Sequence, residues 1–256
     1  MKNITKTQIL ILVLILILIA FVSMYIYKWE NRKPLFEINF FSLNRGRSIF
    51  IRSPDNTTIL IGGGQNTDTI RELTKVMPFY IKKINYIFIP SATPAQIGGL
   101  LEIIERYDVD EIYIPKYIAT STVLNQLIKK INNKKIHMKM VERGDKIEIG
   151  NLNFEVMFPN SNFKYNKTSL PELALRVDYK NSSVFLMGNV SKTIQKYISK
   201  EISINHNESL VEFYNSAIDS KVNKEFISIV KPIFIFSTKE KTTKWISDGF
   251  SFKKIL

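Results

Sequence analysis

The run from Ile9 to Tyr27, ILILVLILILIAFVSMYIY, constrains this chain more than any other feature. Its nineteen residues include one strongly polar side chain, Ser23. A helix on the surface of a soluble domain keeps a polar face, and this run has none. Coiled as a helix it extends about 28 Å, close to the hydrocarbon thickness of a bilayer. The expectation is a membrane span over residues 9–27, which divides the chain into a tail and anchor (1–33) and a globular part (34–256). A cleavable leader would have a shorter apolar core followed by small residues. Ala20-Phe21-Val22-Ser23 before MYIYK fits that pattern poorly, so a retained anchor is expected. Tyr25, Tyr27 and Trp29 fall where interfacial aromatics belong. Lys2 and Lys6 on one side face Lys28, Arg32 and Lys33 on the other, so charge asymmetry hardly sets the orientation. The usual outcome for an N-terminal anchor, a short tail inside and the domain outside, is the expectation.

The remainder is long enough for one large domain with a proper core, and no Pro/Gly/Ser-rich linker divides it. Cysteine is absent, which removes disulfides, thiolate nucleophiles and cysteine-based zinc sites. Only His137 and His206 supply imidazole, the commonest metal ligand and general base. The formal net charge is +13, of which +4 belongs to residues 1–33. Anionic lipid or nucleic acid would suit such a surface. However, the lysines are scattered rather than arrayed, which reads as a solvated basic surface.

After Pro34, LFEINFF, RSIFIR and TTILIGGG read as three short strands joined by tight turns. Ile70, Leu73, Val76 and Met77 recur at helical spacing behind Asp68, read as an N-cap. INYIFIP is a buried strand, Ile97, Leu100, Leu101 and Ile104 form one helix face, and EIYIP and a helix over 120–131 follow. The second half repeats the scheme. KIHMKMV, DKIEIG and LNFEVMFP are strands, ELALRVDY and SSVFLMG form a hairpin around Lys180-Asn181, and helices are expected over 191–200 and 222–230. SLVEFYN, KPIFIFST and KWISDGFSFKKIL complete it as strands. Two mixed sheets, each covered by helices on one face, make an α/β fold with four αββα layers.

That order of elements resembles the metallo-β-lactamase fold. The similarity is specifically to the C-terminal domain of ComEC-type DNA-uptake channel proteins and its free-standing, membrane-anchored relatives. It is carried by Phe41-Ser42-Leu43-Asn44-Arg45-Gly46-Arg47-Ser48, by Pro54-Asp55-Asn56, and by Ile59-Leu60-Ile61-Gly62-Gly63-Gly64. IGGLLEIIERYDVDEIYIP, VERGDKIEIGNLNFEVMFP and FISIVKPIFIFST continue it, so it runs from Phe36 to Thr238. The resemblance implies a binuclear zinc hydrolase at a bacterial-type cell envelope. It further implies envelope proteins or nucleic acid as partners beside the membrane that residues 9–27 contact.

At the metal-ligand positions the chain departs from that family. The histidines and aspartate of the first metal loop match Ser91, Thr93, Ala95 and Gln96, and an earlier aspartate matches Gly62. A later aspartate matches Asn189, and the late His-His-Gly element falls at Tyr214-Asn215-Ser216. A dizinc centre needs carboxylates to offset four positive charges and imidazoles to bind. Gly62 and Ala95 offer no donor, and the others only neutral oxygens. Asp55, Asp68, Glu172 and Asp178 are carboxylates elsewhere, and two histidines do not make four. The expectation is no zinc, no other cofactor and no hydrolysis, leaving a binding or assembly role at the envelope. Two alternatives stand: a repurposed hydrolase of the phosphodiester or nuclease type, and a non-catalytic DNA-binding module. Arg45 and Arg47, beside the vacated pocket, are candidates for contacting an anion, and Gly62-Gly63-Gly64 reads as a tight turn rather than a phosphate cradle. His137 reads as a structural or surface residue of its strand. Ser91 lacks a neighbouring base for nucleophilic catalysis.

Overall fold

The computed structural model describes residues 6–30, 35–161, 172–202, 207–214, 222–237 and 241–256, with side chains of the first segment described for 12–24. The chain forms two units, residues 1–34 and 35–256. The first holds α1 (Lys6–Glu30), whose described apolar side chains are exposed, Leu12, Leu18 and Phe21 by more than half. Both ends of the 9–27 segment lie outside the residues with described side chains. Among the described residues no helix is long and apolar enough to cross a membrane.

The second unit begins with a meander of β1 (Phe36–Phe41), β2 (Ser48–Arg52) and β3 (Thr58–Ile61). β4 (Lys83–Phe88), β5 (Asp108–Pro115) and β6 (His137–Val141) then add in parallel, separated by α2 (Asp68–Val76), α3 (Pro94–Ile97), α4 (Leu100–Arg106) and α5 (Thr122–Asn133). The second sheet holds β7 (Lys146–Ile149), β8 (Leu152–Phe158), β9 (Ala174–Tyr179), β10 (Ser182–Gly188), β11 (Glu208–Phe213) and β12 (Phe234–Ser237). α6 (Lys192–Ser199) and α7 (Lys224–Val230) connect its last three strands. β13 (Thr243–Ser247) and β14 (Phe252–Lys254) return to the first sheet, because β13 pairs with β1, Phe36 opposite Ser247. The sheet orders are β14-β13-β1-β2-β3-β4-β5-β6 and β12-β11-β10-β9-β8-β7.

Alternation explains the layers. In β1, Ile38 and Phe40 face the other sheet, where Phe154, Leu186 and Leu210 meet them. Leu60 and Ile87 face outward onto Leu73, Leu100, Ile104 and Leu127 of the helices. A third cluster packs Phe185 and Val211 against Ile198 and Phe226. Three apolar clusters between two sheets and two sets of helices give the expected αββα order. Ser121 and Asn223 cap α5 and α7 by accepting from the Leu124 and Phe226 amides, the bond that spares an N-terminal donor.

Two local expectations are corrected. Asp68 is not the cap of α2 but its first residue, and Thr67 holds the cap position without a side-chain bond. The single helix expected through Ile97 and Ile104 is broken at Gly98-Gly99. A Cβ at Gly98 would stand 2.2 Å from the Gln65 carbonyl and one at Gly99 2.1 Å from the Gly63 carbonyl, so the chain after β3 lies directly against this joint.

Register gives the sandwich two ends. Phe36, Arg52, Thr58, Lys83 and Asp108 mark the entry end, where β1 begins. Phe41, Ser48, Ile61 and Phe88 mark the opposite end. Ser182 Oγ lies 2.7 Å from Ser247 Oγ, so β10 also starts at the entry end and finishes, at Gly188, at the opposite one.

Candidate functional site

The loops that leave β1, β3, β4, β10 and β11 at that opposite end bring together Gly62, Ser91, Thr93, Ala95, Gln96, Asn189 and Tyr214. Asn215 lies outside the described residues, as does His206. Backbone bonds tie the loops together. Gly62 N–H donates to Phe88 O (3.0 Å), Gly63 N–H to Gln96 O (2.7 Å), Gly64 N–H to Arg47 O (3.0 Å) and Tyr214 N–H to Gly188 O (2.7 Å). Gly62 and Gly64 have φ of +71° and +67°, a conformation that admits glycine without strain and explains the Gly-Gly-Gly run as a turn.

Ser91 is fully buried, its Oγ 3.1 Å from Thr93 Oγ1. Thr93 occupies the cap position before Pro94, with its hydroxyl turned to Ser91 rather than to a helix amide. Gln96 is also fully buried, and neither its Oε1 nor its Nε2 has a hydrogen-bond partner among the described residues. Ala95 lies against Gly46, where a Cβ would stand 1.8 Å from the Ala95 carbonyl oxygen. Asn189 donates its backbone N–H to Glu172 Oε2 at 2.6 Å.

The two arginines part company. Arg45 is exposed, whereas Arg47 is 2% exposed and reaches inward. Its Nη2 donates to Glu212 Oε2 at 2.6 Å, and Glu212 is fully buried. Arg47 is therefore committed to a carboxylate of its own chain rather than to the surface expected for an anion contact. A Cβ at Gly188 would stand 3.0 Å from Arg47 Nη1 and 2.9 Å from Glu172 Oε2, so the guanidinium lies close to a second carboxylate. Arg47 Nε and Nη1 have no hydrogen-bond partner among the described residues. Burial pushes the Glu212 carboxyl above its ordinary value, while Arg47 and the Gly188 N–H pull the other way. Burial likewise raises the Tyr214 hydroxyl, assisted by the charge of Glu172 and opposed by a Gly46 backbone bond and by Arg47.

Glu212 is the site residue that the sequence reading missed. The signal was present, a lone carboxylate inside the buried strand SLVEF. Leu210 and Glu212 share the face toward the other sheet, and Val211 and Phe213 the face toward the helices. His137 is exposed on β6, its Nε2 3.6 Å from Glu111 Oε1. Of the other carboxylates, Asp178 pairs with Arg176 and Asp55 belongs to the β2–β3 turn at the entry end.

Zinc does not fit this donor set. Two glycine or alanine positions without donors, five neutral side chains and a fixed guanidinium stand where a centre of high positive charge would need carboxylates and imidazoles. Among the described residues no group of three or more His, Asp or Glu side chains could hold a metal ion. A cavity of about 250 Å³ lies elsewhere, beside α6, and its Arg143 is already bonded to Glu201 and Tyr197.

No sequence family matches this chain, and no curated protein does. Solved structures match over most of the chain. The metallo-β-lactamase fold protein YhfI from Bacillus subtilis superimposes with a TM-score of 0.52 at 12% identity, over 83% of this chain and 100% of that one. CmlA, a diiron β-hydroxylase from Streptomyces venezuelae, gives 0.51 at 14% identity over 78% of this chain, which spans only 44% of CmlA. Tm1679, a metal-dependent hydrolase of the β-lactamase superfamily, gives 0.50 at 13% identity over 79% of this chain and 95% of that one. At such identities it is the fold that is shared, and residues 35–256 have the metallo-β-lactamase fold.

Proposed function

We propose that this chain is a membrane-anchored, non-hydrolytic protein of metallo-β-lactamase fold, with a binding or assembly role at the cell envelope. The observation that carries the reading is the Arg47–Glu212 pair. A hydrolase of this fold gathers anionic ligands around bound cations to activate water. Here the positive charge is part of the chain, and a guanidinium, always protonated, neither polarises a bound water to hydroxide nor leaves the carboxylate beside it free as a base. The anchor rests on the uniformly apolar run from Ile9 to Tyr27. The envelope setting rests on the narrower ComEC-type resemblance, as does nucleic acid as a partner class.

Purified full-length chain in detergent tests this. Elemental analysis is expected to find zinc, manganese and iron well below one per chain, and bis(p-nitrophenyl) phosphate is expected to turn over no faster than in buffer with or without added metal. Stoichiometric metal with turnover would establish the hydrolase reading instead. Retention on a DNA column that falls steeply with salt would favour the DNA-binding module.

A further inference from the structure

The entry end of the sandwich carries large side chains that the fold leaves outside. Phe79 is 87% exposed and Tyr80 71%, in the turn between α2 and β4, with ring centroids 5.5 Å apart edge-to-face. Phe250, in the β13–β14 turn, is 55% exposed. Three large rings left in water at one end of the domain keep apolar area exposed that burial would favourably remove.

Their placement shows what is within reach to cover them. β13 and β14 lie to one side of β1, and β2, β3 and β4 to the other. At strand spacings near 4.8 Å, the Phe250 turn is about 5–10 Å from β1 and the start of β4, after the Phe79–Tyr80 turn, about 14 Å from it on the far side. β1 is also where the chain arrives. In sequence, Phe36 follows Tyr27, the last residue of the apolar run, by nine positions. Lys82, exposed beside Tyr80, forms no ion pair among the described residues, and Lys180 lies 5.8 Å from the Phe250 ring. Acidic groups share this end, but Asp110 is tied to Lys83 and the Asp248 carboxylate accepts from the Phe250 and Ser251 amides. The face is thus aromatic with mixed charge, the composition of a headgroup-level contact rather than of a polyanion site.

We infer that Phe79, Tyr80 and Phe250 seat this end of the domain in the lipid interface. This rests on α1 being the membrane anchor, and a single experiment separates the two. Because the chain has no cysteine, single cysteines at Leu16, Phe79, Phe250 and Asn44 can each carry an environment-sensitive fluorophore. The full-length variants are reconstituted in phosphatidylcholine vesicles containing lipid with a nitroxide quencher on the upper acyl chain. Quenching is expected at 16, 79 and 250, roughly halving emission, and not at 44, at the opposite end. Quenching at 16 alone overturns the seating face and keeps the anchor. Quenching at 79 and 250 without 16 keeps the face and overturns the anchor. Quenching at none of the three overturns both. Protection of 79 and 250 from iodide that grows with protein concentration, without lipid quenching, assigns the face to a second copy and overturns the inference.

Discussion

Arg47 places a full positive charge in the interior, and its cost is met by one close carboxylate, Glu212, with Glu172 nearby. The pair bridges the loop before β2 in the first sheet and β11 in the second, so it fastens the two sheets to each other at that end. Breaking a buried pair by removing one partner strands the other charge, which costs about 3–5 kcal/mol. Arg47→Met is therefore expected to destabilise the 35–256 domain by that amount. Glu212→Leu added to it is expected to recover most of the loss, because two apolar side chains of similar volume need no solvation. Urea unfolding of wild type, both single variants and the double variant checks this. Independent, additive effects would show that the pair is not coupled.

At the scale of elements, the loop Asn44–Arg47 is fixed by its contact with the chain beyond β4. Gly46 has φ of +98°, and a Cβ there would stand 1.8 Å from the Ala95 carbonyl oxygen and 2.8 Å from Gly64 Cα. Gly144 has a similar φ of +92° with nothing within 4 Å of its Cβ position. Gly144→Ala is expected to cost only the backbone term, about 1–2 kcal/mol. Gly46→Ala should cost clearly more, since the loop carrying Arg47 has to move. Paired denaturation curves measure the difference, and equal losses would mean the loop yields freely. The contrast also marks what was legible in the sequence. Period-two alternation in FEINFF and LNFEVMF, and helical spacing in TVLNQLIKKI, announce elements whose neighbours are local, and most of them were legible. The need for glycine at 98 and 99 was not, because it comes from the Gln65 and Gly63 carbonyls more than thirty residues earlier. Similarly, nothing in KWISDGFSFKKIL states that it pairs with β1, two hundred residues away. The residue types at the matched positions could be read one by one, whereas Arg47 needed its pairing to Glu212 to be seen.

Across the whole domain, ionisable groups at the two ends respond to acid in opposite senses. Asp55, Glu105 and Asp110 lie at the entry end, and all three have carboxyl pKa values below their ordinary ones. Burial pushes Asp110 up, but bonds from Lys83 and Asn85 and the charge of Lys83 outweigh it. Such groups add stability above their unfolded values, 3.8 for the aspartates, and that stability is lost as pH falls through the folded value. Glu212, at the other end, is raised above 4.5. The folded state then binds the proton more tightly than the unfolded chain, so its contribution is fully present below pH 4.5 and declines as pH rises through the folded value. Melting temperatures of wild type, Asp110→Asn and Glu212→Gln from pH 7 to pH 3 separate the two. The gap between wild type and Asp110→Asn is expected to close as pH falls below about 4, because protonated Asp110 no longer attracts Lys83. Wild type should gain relative to Glu212→Gln over the fall from neutrality towards 4.5, because only wild type takes up a proton there on folding. A wild type that instead loses ground to Glu212→Gln over that interval would place the Glu212 carboxyl below its ordinary value, making Arg47 rather than burial the stronger influence on it.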